Sequence, residues 1–147
     1  MKISTRGRYG TRALLDLALQ ERVEPVMLKD IAHRQQISLR YLEQLINPLI
    51  TAGMVKSTRG PKGGISLARH PEEIKLSDII EIFEGSIVLV DCVNDPGDCP
   101  RSSHCVTRDI WIEIKKSISV VLDSTTLQDL VERQKKKDEP TGAMYYI

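Results

Sequence analysis

The chain has 147 residues, 41% of them hydrophobic, which suffices for one domain with an extension and a buried core. No apolar run reaches the roughly 20 residues of a membrane span, and the N-terminal Met-Lys-Ile-Ser-Thr-Arg-Gly-Arg has no apolar signal-peptide core, so the expectation is a cytoplasmic protein with no membrane partner. The net charge of +1 conceals a split: residues 1–70 carry 12 Lys/Arg against 5 Asp/Glu, net +7, whereas residues 71–147 carry 9 against 15, net -6.

A basic front half is the electrostatic footprint of a polyanion binder. With only one Trp, four Tyr and one Phe, stacking on single-stranded bases is disfavoured, and duplex DNA is the expected polyanion.

The first helix is predicted to start with Ser4 or Thr5 as N-cap and to run to about Gln20. Gly10, Ala13, Leu14, Leu17 and Ala18 recur at helical spacing, while Arg6, Arg8 and Arg12 crowd the first two turns. Cations there oppose the helix dipole, which suggests an external anion such as a DNA phosphate; a solvated face is the plainer alternative.

Leu28 to Gln35 reads as a short helix, followed by a break around Gln36-Ile37 and a second helix capped by Ser38. Ile37 is placed to staple onto Leu42, and Leu42, Leu45, Ile46 and Leu49 form the i, i+3, i+4, i+7 stripe. Two such helices make a helix-turn-helix whose second member is the recognition helix. Its outer face offers Arg40, Tyr41, Glu43, Gln44 and Asn47, side chains able to reach base edges or phosphates, although a wet helix face has the same composition. Two residues break local rules: Gln36 stands where a left-handed turn favours Gly, and Pro48 sits inside the recognition helix.

Residues 54–57 and 65–68 read as two short strands around Thr58-Arg59-Gly60-Pro61-Lys62-Gly63-Gly64. A glycine-rich basic hairpin behind a helix-turn-helix is a wing, with Arg59 and Lys62 supplying phosphate or minor-groove contacts. A nucleotide phosphate loop would need a helix opening behind the glycines and a Gly-Lys-Ser/Thr, and neither is present.

After Pro71, Ser77 is predicted to cap a helix from Asp78 to Glu84. All three cysteines, Cys92, Cys99 and Cys105, then fall in a Pro/Gly/Asp-rich loop that is expected to form neither helix nor strand. An odd thiol count in a reducing compartment argues against a disulfide framework and leaves metal binding, redox sensing or a buried thiol. The C-x6-C-x5-C spacing disfavours a zinc ribbon, whose cysteines pair across two to four residues. Val106 to Leu122 carries Ile110, Ile114, Ile118, Val121 and Leu122 on one stripe with Trp111 beside it, a long amphipathic helix expected to dimerise, packing on its own domain being the alternative. Thr126 and Asp129 predict a capping box for a last short helix, and the charge run from Lys135 to Pro140 reads as a solvated tail.

Gly7-Arg8-Tyr9, Ile37-Ser38-x-x-Tyr41-Leu42-Glu43-Gln44-Leu45, Arg59-Gly60-Pro61-x-Gly63-Gly64 and the three cysteines before a long helix together resemble the IscR-type winged-helix regulators, from Met1 to about Gln134. The expected architecture is mostly α with a small β wing: a winged helix-turn-helix over 1–84, a cluster-binding loop over 85–105, a dimerisation helix and short C-terminal helix over 106–134, and a tail over 135–147. The resemblance implies a homodimeric transcription factor that binds double-stranded DNA and holds an iron-sulfur cluster, [2Fe-2S] or [4Fe-4S], on Cys92, Cys99 and Cys105. Carried over by position, DNA contacts fall on Tyr41, Glu43 and Arg59, with Arg40 where relatives often have a small polar residue. With the basic and capping residues, the DNA-binding set is Arg6, Arg8, Ser38, Arg40, Tyr41, Glu43, Gln44, Arg59 and Lys62.

The chain departs from its relatives at the fourth cluster ligand. Such proteins often place a His three residues after the last cysteine; Arg108 stands there, and a guanidinium cannot coordinate a metal. Others use an acidic residue early in the first helix, where this chain has Arg6 and Arg8. His104, Asp91, Asp98, Asp109, His33 or an exogenous thiol or water remain as candidates. A cluster-free regulator switched by thiol oxidation or a partner protein, and an iron-sulfur electron carrier, are the alternatives. No catalytic constellation stands out.

Overall fold

The computed structural model describes residues 2–140. Helices α1 (Thr5–Leu19), α2 (Leu28–Gln35) and α3 (Leu39–Thr51) precede the hairpin β1 (Val55–Thr58) and β2 (Gly64–Leu67). Helix α4 (Leu76–Glu84), the single turn α5 (Asp91–Asn94), the long α6 (Val106–Ser124) and α7 (Leu127–Asp138) complete the order. The architecture is thus mostly helical with one small two-stranded antiparallel sheet, a winged helix.

Ser4 caps α1, its hydroxyl accepting from the Gly7 N–H at 3.1 Å, and the Glu84 carboxylate in turn accepts from the Ser4 N–H at 2.9 Å. Helices α1 and α4 approach closely because Gly10 has no side chain: a Cβ there would lie 2.3 Å from the Phe83 ring. Helix α2 ends as expected on Gln36, at φ 54° and ψ 45°, a left-handed conformation that costs a non-glycine residue on the order of 1 kcal/mol. The Ile37 N–H then reaches back to the Ala32 carbonyl at 3.0 Å, and Ser38 caps α3 by accepting from the Tyr41 N–H at 3.1 Å. Pro48 does not end α3, which continues to Thr51 although the Gln44 carbonyl loses its usual N–H donor.

Leu14 and Leu17 of α1, Ile31 of α2, and Leu42, Leu45 and Leu49 of α3 meet Met54, Ile65, Ile79 and Phe83 in one core. The hairpin pairs Val55 with Leu67 and Thr58 with Gly64, and it docks onto the chain ahead of α2 through two 2.8 Å bonds between Val26 and Ile65. Gly64 is required at this dock, since its φ is +152° and a Cβ would fall 2.3 Å from the Val26 carbonyl oxygen.

The C-terminal segment returns to the same core. Leu76 donates to Thr125 and Leu127 donates to the Ile74 carbonyl, each at 2.8 Å, and Leu127 and Val131 of α7 are buried against α1. Thus α7 crosses the division expected after Glu84 and belongs to the core of the winged helix. The same bridge explains why α4 begins at Leu76 with no side-chain cap, instead of at Asp78 behind Ser77: the Thr125 carbonyl takes the Leu76 N–H.

The expectation of a cysteine loop without helix is corrected, because α5 forms one turn and Pro96–Asp98 a 3-10 turn, the latter held by the Asp95 carboxylate accepting from the Gly97 N–H at 2.9 Å. The lysine run read as tail is corrected up to Asp138, since α7 carries it as its last turn, where cations complement the helix dipole. Of the rest of the expected tail, Glu139 and Pro140 follow α7, and residues 141–147 lie outside the described residues. The predicted capping box of Thr126 and Asp129 is present.

Candidate functional site

Arg40, Glu43, Gln44 and Asn47 all stand exposed on α3, with the core stripe Leu42, Leu45, Ile46 and Leu49 behind them. Tyr41 differs from the rest of its predicted group. It is half-buried and meets Tyr9 of α1 edge-to-face, with 6.1 Å between ring centroids, so its ring props the recognition helix. The Ser38 side chain is engaged as the α3 cap.

Tyr9 is the hub that sequence reasoning missed. Arg8 and Arg12 lie over its ring at 5.7 and 5.0 Å, and Arg12 also donates to the Gln35 side chain at 3.1 Å and to its carbonyl at 2.5 Å. Arg12 is therefore a brace between α1 and α2, whereas Arg6 and Arg8 stay exposed and available to phosphates. Beneath them the buried Asp16 carboxylate accepts from Arg34 Nη2 at 2.7 Å and from the Gln35 amide at 2.9 Å. That bond is the main cause of the raised Arg34 pKa. A lone aspartate on an apolar helix face was the one available sequence signal. Arg59 and Lys62 are exposed at the wing tip between β1 and β2.

The three thiols are unpaired and half-buried. Cys92 lies in α5, Cys99 follows the 3-10 turn, and Cys105 is the N-cap residue of α6. The Cys105 thiol is held below its ordinary pKa, first by the Thr107 hydroxyl at 3.1 Å and then by the Arg108 backbone N–H, with Arg101 contributing charge. Soft thiolates suit an iron-sulfur cluster in donor chemistry. In this conformation, however, no three His, Cys, Asp or Glu side chains among the described residues gather into a group able to hold a metal ion. His104, Asp91, Asp98, Asp109 and His33 are all exposed and join no such set. Arg108, at the expected His position, donates from Nε to the Cys92 carbonyl at 3.0 Å.

Helix α6 has no buried residue. Ile118 and Leu122 turn toward Ile80 of α4 across a shared groove, leaving Val106, Ile110, Trp111, Val120 and Val121 exposed. Among the described residues no helix is long and apolar enough to cross a membrane.

Residues 3–133 match the family Rrf2, described as "Iron-dependent Transcriptional regulator". Protein rrf2 of Nitratidesulfovibrio vulgaris is 45% identical over 131 residues, 89% of this chain and 87% of that protein. Among solved structures, T. potens IscR superposes with a TM-score of 0.78 at 44% identity, covering 99% of this chain and 97% of that one. CymR, the global cysteine regulator of B. subtilis, gives 0.77 at 42%, covering 90% and 98%. These relatives are regulators and not enzymes, and the chain belongs to the Rrf2 family of winged-helix transcriptional regulators, the family of the IscR-type proteins it resembles.

Proposed function

We propose that the chain works in the cytoplasm as a homodimer on duplex DNA, and that an iron-sulfur cluster on Cys92, Cys99 and Cys105 is the signal it senses. The carrying observation is that three unpaired, half-buried thiols sit at the base of a helix with a bare apolar face. Arg40, Glu43 and Gln44 read base edges, and Arg6, Arg8, Arg59 and Lys62 bind phosphates, with Ser38 and Tyr41 fixing the start of α3. Pairing through α6 sets the separation of two recognition helices, so half-sites lie about one helical turn apart or a multiple of it. When bound, the cluster supplies thiolate-held iron that responds to iron supply and oxidants. The test is visible absorption and Mössbauer spectroscopy of anaerobically purified protein beside Cys92→Ala, Cys99→Ala and Cys105→Ala. Colour that each substitution weakens supports the reading, and a protein that stays colourless after reconstitution with iron and sulfide excludes it.

One observation favours a second reading, a cluster-free regulator switched by thiol chemistry: the thiols are not gathered for a metal. The similarity to a global cysteine regulator supports it as well. Peroxide-dependent mass shifts at these cysteines that track DNA release, in a colourless protein, would establish it.

A further inference from the structure

Arg108 stands in the middle of the cysteine loop without being able to bind metal. Its Nε donates to the Cys92 carbonyl at 3.0 Å, and it lies three residues past Cys105, in the first turn of α6. Its side chain also lines a surface cavity of about 350 Å3 together with Cys99, Pro100 and Ser102. One residue therefore adjoins Cys92 and Cys99 from the helix that Cys105 begins. A second tie runs beside it, from Lys115 Nζ to the Asn94 side-chain oxygen at 2.5 Å.

These ties matter because α5 has four residues. A helix so short cannot hold itself, since nucleation costs more than one hydrogen bond returns, and its last carbonyls have no partner within it. A cationic donor satisfies one of those carbonyls with a charge-assisted bond, stronger than a neutral one. Arg108 and Lys115 are seven residues apart on one side of α6, so the turn bearing Cys92 is fastened to the long helix at two points.

We propose that Arg108 is the positioning residue of the cysteine loop: its guanidinium clamps the Cys92 turn onto α6 and so couples the state of the loop to the long helix. This rests on reading the loop as the sensor, but the clamp itself needs no metal. Where relatives offer a histidine ligand, this chain offers a fastening. The three thiols are not gathered about one centre in this conformation, and the Arg108 bond holds the Cys92 turn against a rearrangement of the loop.

The experiment uses the full chain, metal-free after anaerobic chelation, and reads amide hydrogen exchange and the alkylation rate of Cys92. In Arg108→Gln, the amides of Val93 and Asp95, bonded to the Val90 and Asp91 carbonyls at 3.0 Å, should exchange about tenfold faster, the size of effect expected from losing one charge-assisted bond. Cys92 alkylation should rise in parallel, while the amides of α3 keep their protection. Arg108→Lys, which retains a cationic donor, should restore part of the protection, and it carries the test if the glutamine variant does not fold. Equal exchange at Val93 and Asp95 in wild type, Arg108→Gln and Arg108→Lys would overturn the clamp. Iron reconstitution of the wild type tests the sensing reading separately, so the two can fail independently.

Discussion

Tyr9 of α1 and Tyr41 of α3 meet edge-to-face with ring centroids 6.1 Å apart, and the exposed guanidinium of Arg8 lies over the Tyr9 ring at 5.7 Å. One aromatic pair thus joins a basic α1 surface to the start of the recognition helix. Such a pair contributes about 0.5–1.5 kcal/mol beyond its buried area. Tyr9→Leu should lower stability by about 1–3 kcal/mol, the range for losing a well-packed large side chain in part. It should weaken DNA binding uniformly across operator variants, because no base contact is removed. Tyr9→Phe keeps the ring and should behave as wild type in both denaturation and fluorescence-anisotropy titrations.

In the proposed reading, Arg59 and Glu43 serve different parts of recognition. Arg59→Ala should reduce the magnitude of the salt slope of log K by about 0.9, the loss of one phosphate contact on B-DNA, and leave the base preference alone. Glu43→Ala should keep the slope and relax discrimination at one position by about 1–3 kcal/mol. Titrations at several salt concentrations on a saturation set of operator variants separate the two. An Arg59→Ala protein with an unchanged slope would remove the wing from the phosphate contacts.

Asp16 is 4% exposed at its side chain and is held by Arg34 and Gln35, which fixes the turn end of α2 against α1. Arg34 is 38% exposed and can turn to water when its partner goes, so the loss is smaller than for a fully buried pair. Asp16→Asn should cost about 1–3 kcal/mol in urea denaturation. In a double-mutant cycle with Arg34→Gln, the two effects should fall well short of additive.

What could be read in advance was local. Ser38 before Tyr41, the stripe Leu42, Leu45, Ile46 and Leu49, and the glycines of the wing act within a few residues of their own positions, and each does what its spacing implies. The left-handed Gln36 was legible for the same reason. Contacts between distant parts of the chain were not. Nothing in the spacing of Tyr9 and Tyr41, Asp16 and Arg34, or Ile74 and Leu127 marks them as partners, since their meeting depends on how the helices pack. The return of α7 to the winged-helix core was hidden because Leu127, Leu130 and Val131 read equally well as a helix packed elsewhere. Arg108 was conspicuous as a departure from its relatives, but its role became visible only with the Cys92 carbonyl beside it.

The bare face of α6 yields the last prediction. Val106, Ile110 and Val121 are 74%, 47% and 60% exposed and lie along one stripe, roughly a quarter-turn from Ile118 and Leu122, which face α4. Apolar side chains at this spacing, on a helix with no buried residue, match the seam of a helix pair. A charge placed in such a seam is desolvated without a partner on pairing, whereas in the monomer it remains in water. Val121→Asp and Ile110→Lys should therefore leave the fold of the single chain intact while shifting it to monomer in sedimentation velocity. Their affinity for a two-half-site operator should fall toward that for one half-site, because linking two modules multiplies affinity through effective concentration. Wild-type dimerisation by either variant would place the pairing surface elsewhere. Monomers that still bind the full operator at wild-type strength would separate dimerisation from DNA reading.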